Sequence, residues 1–244
     1  GICFTEWGRY KEALAKIKEA LKMDKNLTVE AHYRFGEVYT KLKDIKKAIK
    51  HYNESISVDP SAAMPNLRLG MLYFKLKKYK EAVQPLRLSI KQSPKYAAEG
   101  YYRLGVSLVN LKRYKSAEEP LRKAVELSPD NELVNDTLAD NLFQLSMDLR
   151  VDAKPGELID RLREVVYFNP EYIQGHDELS QAYDAILKGD KAITHCIIVQ
   201  RFLVENKMMK ELAVSRANLA ALYKKYKTGP EEFKKVITPR KNYH

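Results

Sequence analysis

Three arginines stand in one recurring setting: Arg34-Phe35-Gly36, Arg68-Leu69-Gly70 and Arg103-Leu104-Gly105, with gaps of 34 and 35 residues between the glycines. A guanidinium is a planar fork of donors that matches a carboxylate, so arginines at constant spacing suit the recognition of acidic groups. Covalent chemistry finds no such support. Cys3 and Cys196 lie far apart without CxxC or Cys/His spacing, and are expected to fill helix faces rather than form a disulfide or hold a metal. His195 adjoins Cys196, but successive residues on a helix point about 100° apart and do not face each other. The other histidines are scattered along the sequence and suggest no ligand cluster. There is no phosphate-binding glycine loop, no HExxH and no GxSxG. The reading is a non-catalytic chain, with no catalytic residue, cofactor or metal expected.

The elements that carry these arginines repeat. When 29–62, 63–96 and 98–131 are each numbered from 1, position 8 is Gly36, Gly70 or Gly105, and position 20 is Ala48, Ala82 or Ala117. Position 24 is Tyr52, Leu86 or Leu121, and position 32 is Pro60, Pro94 or Pro129. Apolar residues at positions 7, 11 and 14 fall on one face of a first helix, and those at 17, 21, 24 and 28 on one face of a second. Glycine and alanine at 8 and 20 let two backbones approach, and proline at 32 ends the unit. Each unit therefore reads as an antiparallel helix pair, and a stack of like pairs is more often a binding surface than an active site. Pro85 and Pro120 both fall at position 23, inside the second helix, where a bend is expected.

This pattern resembles the tetratricopeptide repeat (TPR) family. The resemblance implies an all-α, right-handed solenoid of stacked antiparallel helix pairs, with the first helices lining a concave groove. Carried over residue by residue, the groove positions include Tyr33 and Arg34, then Met64, Leu67, Arg68, Met71 and Phe74, then Tyr102 and Arg103. The arginines would form a ladder, with Met64, Leu67, Met71 and Phe74 an adaptable apolar floor and Tyr33 and Tyr102 amphipathic anchors. Such a groove suits a peptide or protein partner with acidic and apolar side chains. The alternative for the ladder is pairing with Glu30, Glu37 or Glu99 on the same helices. The family's clamp for chaperone C-terminal carboxylates is not expected: Tyr33 and Glu37 stand where it needs Lys and Asn, Arg68 replaces its Asn, and only Arg103 fits.

The regular array covers 1–131, its first repeat cut short, since Gly1-Ile2-Cys3-Phe4 aligns with positions 8 to 11 and the natural protein is expected to begin earlier. Residues 132–244 read as degenerate pairs continuous with that array. Leu138-Ala139 and Leu142 mark one pair, Leu179-Ser180, Tyr183 and Ala192 a second over 173–206, and Leu219-Ala220 with Tyr223 a third. Lys154-Pro155-Gly156 reads as a loop, and Glu231 to Ile237 as a short closing helix. In the weaker register of this half, Asp136, Asp140, Asp177, Glu178 and Asp184 fall on the concave side, which raises self-association as a further expectation.

The net charge is +11. Its placement points to the turn within each pair: Lys43, Lys77 and Lys112 share position 15, Lys78 and Arg113 position 16, and Lys46, Lys80 and Lys115 position 18. Stacked, they would make a basic ridge, either a solvated edge or a docking edge for an anion. No apolar run approaches the roughly 18 residues that span a membrane, so a soluble chain is expected, with the cytoplasm favoured. The leading functional reading is a scaffold or adaptor that binds protein partners in the groove and assembles complexes. The alternative is an RNA- or anion-binding repeat protein using the ridge.

Overall fold

The computed structural model describes residues 5–93, 97–151 and 155–234. Cys3 and the rest of 1–4, Pro94, Lys154 and Ile237, all named above, lie outside them. The described residues are all-α, and the chain divides into two compact units, 1–130 and 131–244.

The first unit holds α1 (Tyr10–Met23), α2 (Thr28–Lys41), α3 (Ile45–Val58), α4 (Ala63–Lys75), α5 (Tyr79–Gln92), α6 (Ala97–Asn110) and α7 (Tyr114–Leu127). Pairs α2–α3, α4–α5 and α6–α7 pack most extensively, and α1–α2, α3–α4 and α5–α6 join them into a stack. The pairs occupy 28–58, 63–92 and 97–127. The glycine at position 8 is required by approach rather than by backbone torsion. A Cβ at Gly36 would lie 2.5 Å from the Tyr52 ring, one at Gly70 2.7 Å from Leu86 Cγ, and one at Gly105 2.4 Å from Leu121 Cδ2. Ala48, Ala82 and Ala117 are completely buried at the same crossings. Pro85 and Pro120 lie inside α5 and α7, both of which run unbroken for 14 residues.

The turn within each pair is closed in a specific way. Lys43, Lys77 and Lys112 adopt left-handed backbone, with φ of 60°, 57° and 56°. Lys43 N–H donates to Thr40 O at 3.1 Å, and Asp44 N–H reaches back to Tyr39 O at 3.0 Å. Lys77-Lys78 and Lys112-Arg113 repeat the arrangement, which satisfies the last carbonyls of the first helix. Asp44 then caps α3 by accepting from Lys47 N–H at 3.2 Å.

The second unit holds α8 (Glu132–Val151), α9 (Pro155–Phe168), α10 (Ile173–Ala185), α11 (Gly189–Glu205) and α12 (Met209–Tyr226). Each packs on the next in chain order. Leu138, Ala139 and Leu142 are fully buried in α8, and Leu179, Ser180, Tyr183 and Ala192 are buried where α10 meets α11. Ser180 takes the position of the glycine, and its hydroxyl donates to Ala192 O at 2.8 Å. The expected loop at Lys154-Pro155-Gly156 is corrected: Pro155 and Gly156 open α9. Proline suits a first helical turn, where its missing N–H has no partner to lose. The extra length up to Val151 is helix, the end of the 20-residue α8. Of the expected closing helix, Pro230–Phe233 forms a single 3-10 turn.

Candidate peptide groove and histidine clusters

The first unit has two depressions on the face formed by α2, α4 and α6. One, of about 760 Å³, is lined by residues including Tyr33, Arg34, Glu37, Met64, Pro65 and Arg68. The other, of about 400 Å³, is lined by residues including Glu37, Arg68, Met71, Phe74 and Arg103. Glu37, Lys41 and Arg68 line both. Helix spacing explains the convergence: residues 30, 34, 37 and 41 of α2 lie three or four apart and share one face. Met64, Met71 and Phe74 are half-buried along this floor. Leu67 is not part of it. At 3% exposed it belongs to the core, because its position turns it between helices. Tyr102 is half-buried but lines neither depression.

The arginine ladder is engaged by groove acids to different degrees. Arg34 donates from Nε to Glu30 at 2.6 Å and from Nη1 to Glu37 at 2.8 Å, and its guanidinium lies 4.9 Å from the Tyr33 ring centre. Arg103 pairs with Glu99 through Nε at 2.7 Å and again through Nη2, and lies 5.2 Å over the Phe74 ring. Arg68 is held more loosely. Its Nε is 3.4 Å from Glu37 Oε1 and buried without a hydrogen bond. Tyr33 is buried and donates its hydroxyl to Glu37 at 2.8 Å. Burial, opposed in part by Arg68 and reinforced by Glu37, pushes the phenol up to about 12, so it stays a donor.

The ridge residues Lys43, Lys46, Lys77, Lys78, Lys80, Lys112, Arg113 and Lys115 are all exposed. None of the eight forms an ion pair within 4 Å among the described residues. Tyr79, on the same turn, packs edge-on against Phe74 with ring centres 5.9 Å apart.

In the second unit, most of the acidic residues read as concave are occupied. Asp184 accepts from Lys225 and from the Tyr226 hydroxyl, each at 2.7 Å. Glu178 accepts from Arg150 at 2.6 Å, and Asp177 from Gln181 at 2.9 Å. Burial first, then the nearby Asp140 carboxylate, push the Tyr172 phenol up, and Asp136 is exposed.

The histidines, scattered in sequence, are paired in space, which corrects the expectation of no cluster. His32 on α2 and His51 on α3 bring their Nδ1 atoms to 3.1 Å, and Glu54 Oε2 lies 2.8 Å from each. His51 stacks on Tyr39, with rings 2° from parallel and centres 5.3 Å apart. His176 on α10 and His195 on α11 form a second pair, Nδ1 to Nδ1 at 2.8 Å, with His195 stacked on Tyr183 at 7°. Both pairs are 19 residues apart and sit at positions 4 and 23 of their repeats, with tyrosine at 11. That shared spacing was available in the sequence once the repeat was numbered. Cys196 faces away from His195: its thiol lies 3.8 Å from Ser215 O, and burial pushes it up to about 11. The two do not form a nucleophile pair.

Residues 29–62 match the family model of the tetratricopeptide repeat, and residues 66–96 and 98–131 match a second such model. Among solved structures the chain is similar to YrrB, "a TPR protein with an unusual peptide-binding site". They share 19% identity over 83% of this chain and 98% of that one, with a TM-score of 0.56. It is also similar to MamA, at 17% identity over 75% of this chain and 96% of that one, TM-score 0.53. MamA MSR-1 shares 25% identity over 70% and 92% of the two chains, TM-score 0.52. None of the curated proteins matches. Likeness at these identities is a likeness of fold.

Proposed function

We propose, for a chain whose residues 29–62, 66–96 and 98–131 are tetratricopeptide repeats, that the groove of the first unit is a docking site for a peptide segment of a protein partner, and that the chain acts as a scaffold. The observation that carries this is the pair of depressions meeting at Arg68. An arginine with a buried, unbonded Nε sits between Met64 on one side and Met71 and Phe74 on the other. A carboxylate reaching the exposed part of the Arg68 guanidinium, whose side chain is 39% exposed and whose pair with Glu37 is 3.4 Å long, would gain charge-assisted hydrogen bonds. Apolar side chains flanking that carboxylate would cover methionine and phenylalanine surface, the kind of adaptable floor that supplies most of the binding energy in such grooves. The peptide-binding site named for YrrB is consistent with the same use of this fold.

The test is a peptide array of acidic-apolar segments against basic-apolar ones, probed with the full chain and with a Met71→Ser, Phe74→Ala double variant. Selective capture of the acidic-apolar set, weakened about tenfold or more in the variant, is expected from the loss of roughly 2 kcal/mol of apolar contact. Equal capture of both sets, or retention by the variant, overturns the groove reading. Capture of RNA that collapses as salt rises would move the function to the basic ridge.

A further inference from the structure

The structure assigns a second site: we infer that His32, His51 and Glu54 form a binding site for a divalent transition-metal ion of the zinc class, clamping the two helices of repeat 29–62. The three ligand atoms form a triangle with edges of 3.1, 2.8 and 2.8 Å. An ion at zinc distances, about 2.0–2.1 Å from imidazole nitrogen and carboxylate oxygen, would sit about 1.2 Å above that triangle. A regular tetrahedral edge is about 3.3 Å, so the side chains need to open by only a few tenths of an ångström. Two imidazoles and one carboxylate are a ligand set that suits zinc and other late divalent ions, with a fourth position left for water.

Protons alone serve this cluster poorly. Glu54 Oε2 is buried, in contact with both Nδ1 atoms, and receives no hydrogen bond. With the two Nδ1 atoms 3.1 Å apart and each 2.8 Å from Oε2, a single N–H can serve only one of these contacts, and two N–H groups would crowd each other. A dication meets all three atoms at once.

The second histidine pair supplies the contrast. There His176 Nε2 lies 2.9 Å from Pro170 O, so Nε2 carries the proton and its Nδ1 accepts from His195. Every ring nitrogen in that contact has a role, and position 26 of the repeat holds Ile198 instead of a carboxylate. In the first pair, His32 makes no hydrogen bond beyond His51 among the described residues, and Glu54 occupies position 26. The site is also separate from the groove. His32, Phe35 and Tyr39 share one face of α2 at i, i+3 and i+7, and none of His32, His51 and Glu54 lines either depression.

The experiment uses the full chain after chelator treatment, titrated with Zn²⁺ by calorimetry and with Co²⁺ by visible absorption, which reports ligand geometry. Expected are one ion per chain, a tetrahedral-type Co²⁺ spectrum displaced by Zn²⁺, and a higher melting temperature with Zn²⁺. Glu54→Gln and His32→Asn should each weaken Zn²⁺ binding by about tenfold or more. Asparagine is the native residue at the equivalent Asn66, so the second variant keeps a side chain this fold already accepts. His195→Gln should leave binding unchanged. Absence of Zn²⁺ binding, or affinity held within twofold in both Glu54→Gln and His32→Asn, overturns the assignment, as does loss of binding in His195→Gln.

Discussion

Glu37 is the organising acid of the groove, and Glu37→Gln separates its structural role from its effect on a ligand. Its carboxylate accepts from Arg34 at 2.8 Å and from the Tyr33 hydroxyl at 2.8 Å, and lies 3.4 Å from Arg68 Nε. Glutamine keeps the size and one acceptor but removes the charge. The side chain is only 21% exposed, so the lost pairing is expected to cost about 1 kcal/mol of stability, above the usual value of an open surface pair. The effect on binding has the opposite sign. A ligand carboxylate at Arg68 would sit roughly 6 Å from this acid, where a unit charge at an effective dielectric of about 40 contributes about 1.4 kcal/mol, or tenfold in affinity. Salt screening reduces this to about five- to tenfold. Fluorescence anisotropy with one labelled acidic-apolar peptide from the array, at low and high salt, reads both affinity and its screening. The expected variant is less stable and binds tighter, with the gain shrinking as salt rises. Affinity that falls, or does not change at either salt, refutes the placement of a ligand carboxylate beside Arg68.

Other perturbations test the frame around the groove. Gly105→Ala places a methyl 2.4 Å from Leu121 Cδ2 and should cost about 1–3 kcal/mol in denaturant unfolding; a neutral result would mean the crossing is looser than drawn. Lys77→Gly and Lys112→Gly relieve left-handed backbone at φ 57° and 56°, and each should raise stability by about 0.5–1 kcal/mol despite the greater chain entropy of glycine. The His195 pair should make the fold acid-sensitive. Burial first, then His176 and Lys191, push His195 down to about 4, and burial also lowers His176. The unfolded rings take up protons near pH 6.5 while the folded ones resist, so stability is full above that pH and is lost as pH falls towards 4, by roughly 1–3 kcal/mol. Urea unfolding across that window should show the slope in the native chain and a smaller one in His195→Gln.

The helix pairs of 29–131 were legible because each rests on a side-chain rule that sequence displays: a small residue where helices cross, an apolar face at helical spacing, a proline after the second helix. What was hidden depended on partners. Sequence leaves the arginine ladder between ligand contact and pairing with Glu30, Glu37 or Glu99; the angles on the helices pair Arg34 and Arg103 closely and leave Arg68 with a 3.4 Å ion pair. Leu67 passed for floor because one step around a helix separates core from groove. The left-handed lysines escaped notice because glycine or asparagine is the usual signal for that backbone. Pro155 and Gly156 suggested a loop by composition, whereas proline in a first turn starts a helix as readily as it ends one. The histidine clusters join residues 19 apart on two helices, a separation with meaning only after the repeat is numbered.

The most direct test of the groove is photo-crosslinking from a benzoylphenylalanine placed at Phe74, compared with one at Lys78 on the ridge, in cells that make the protein. The account predicts a discrete protein adduct from position 74, weakened by Arg68→Gln, and none of matching mass from position 78. Adducts from position 78 alone, or RNA adducts there with none at position 74, would contradict it.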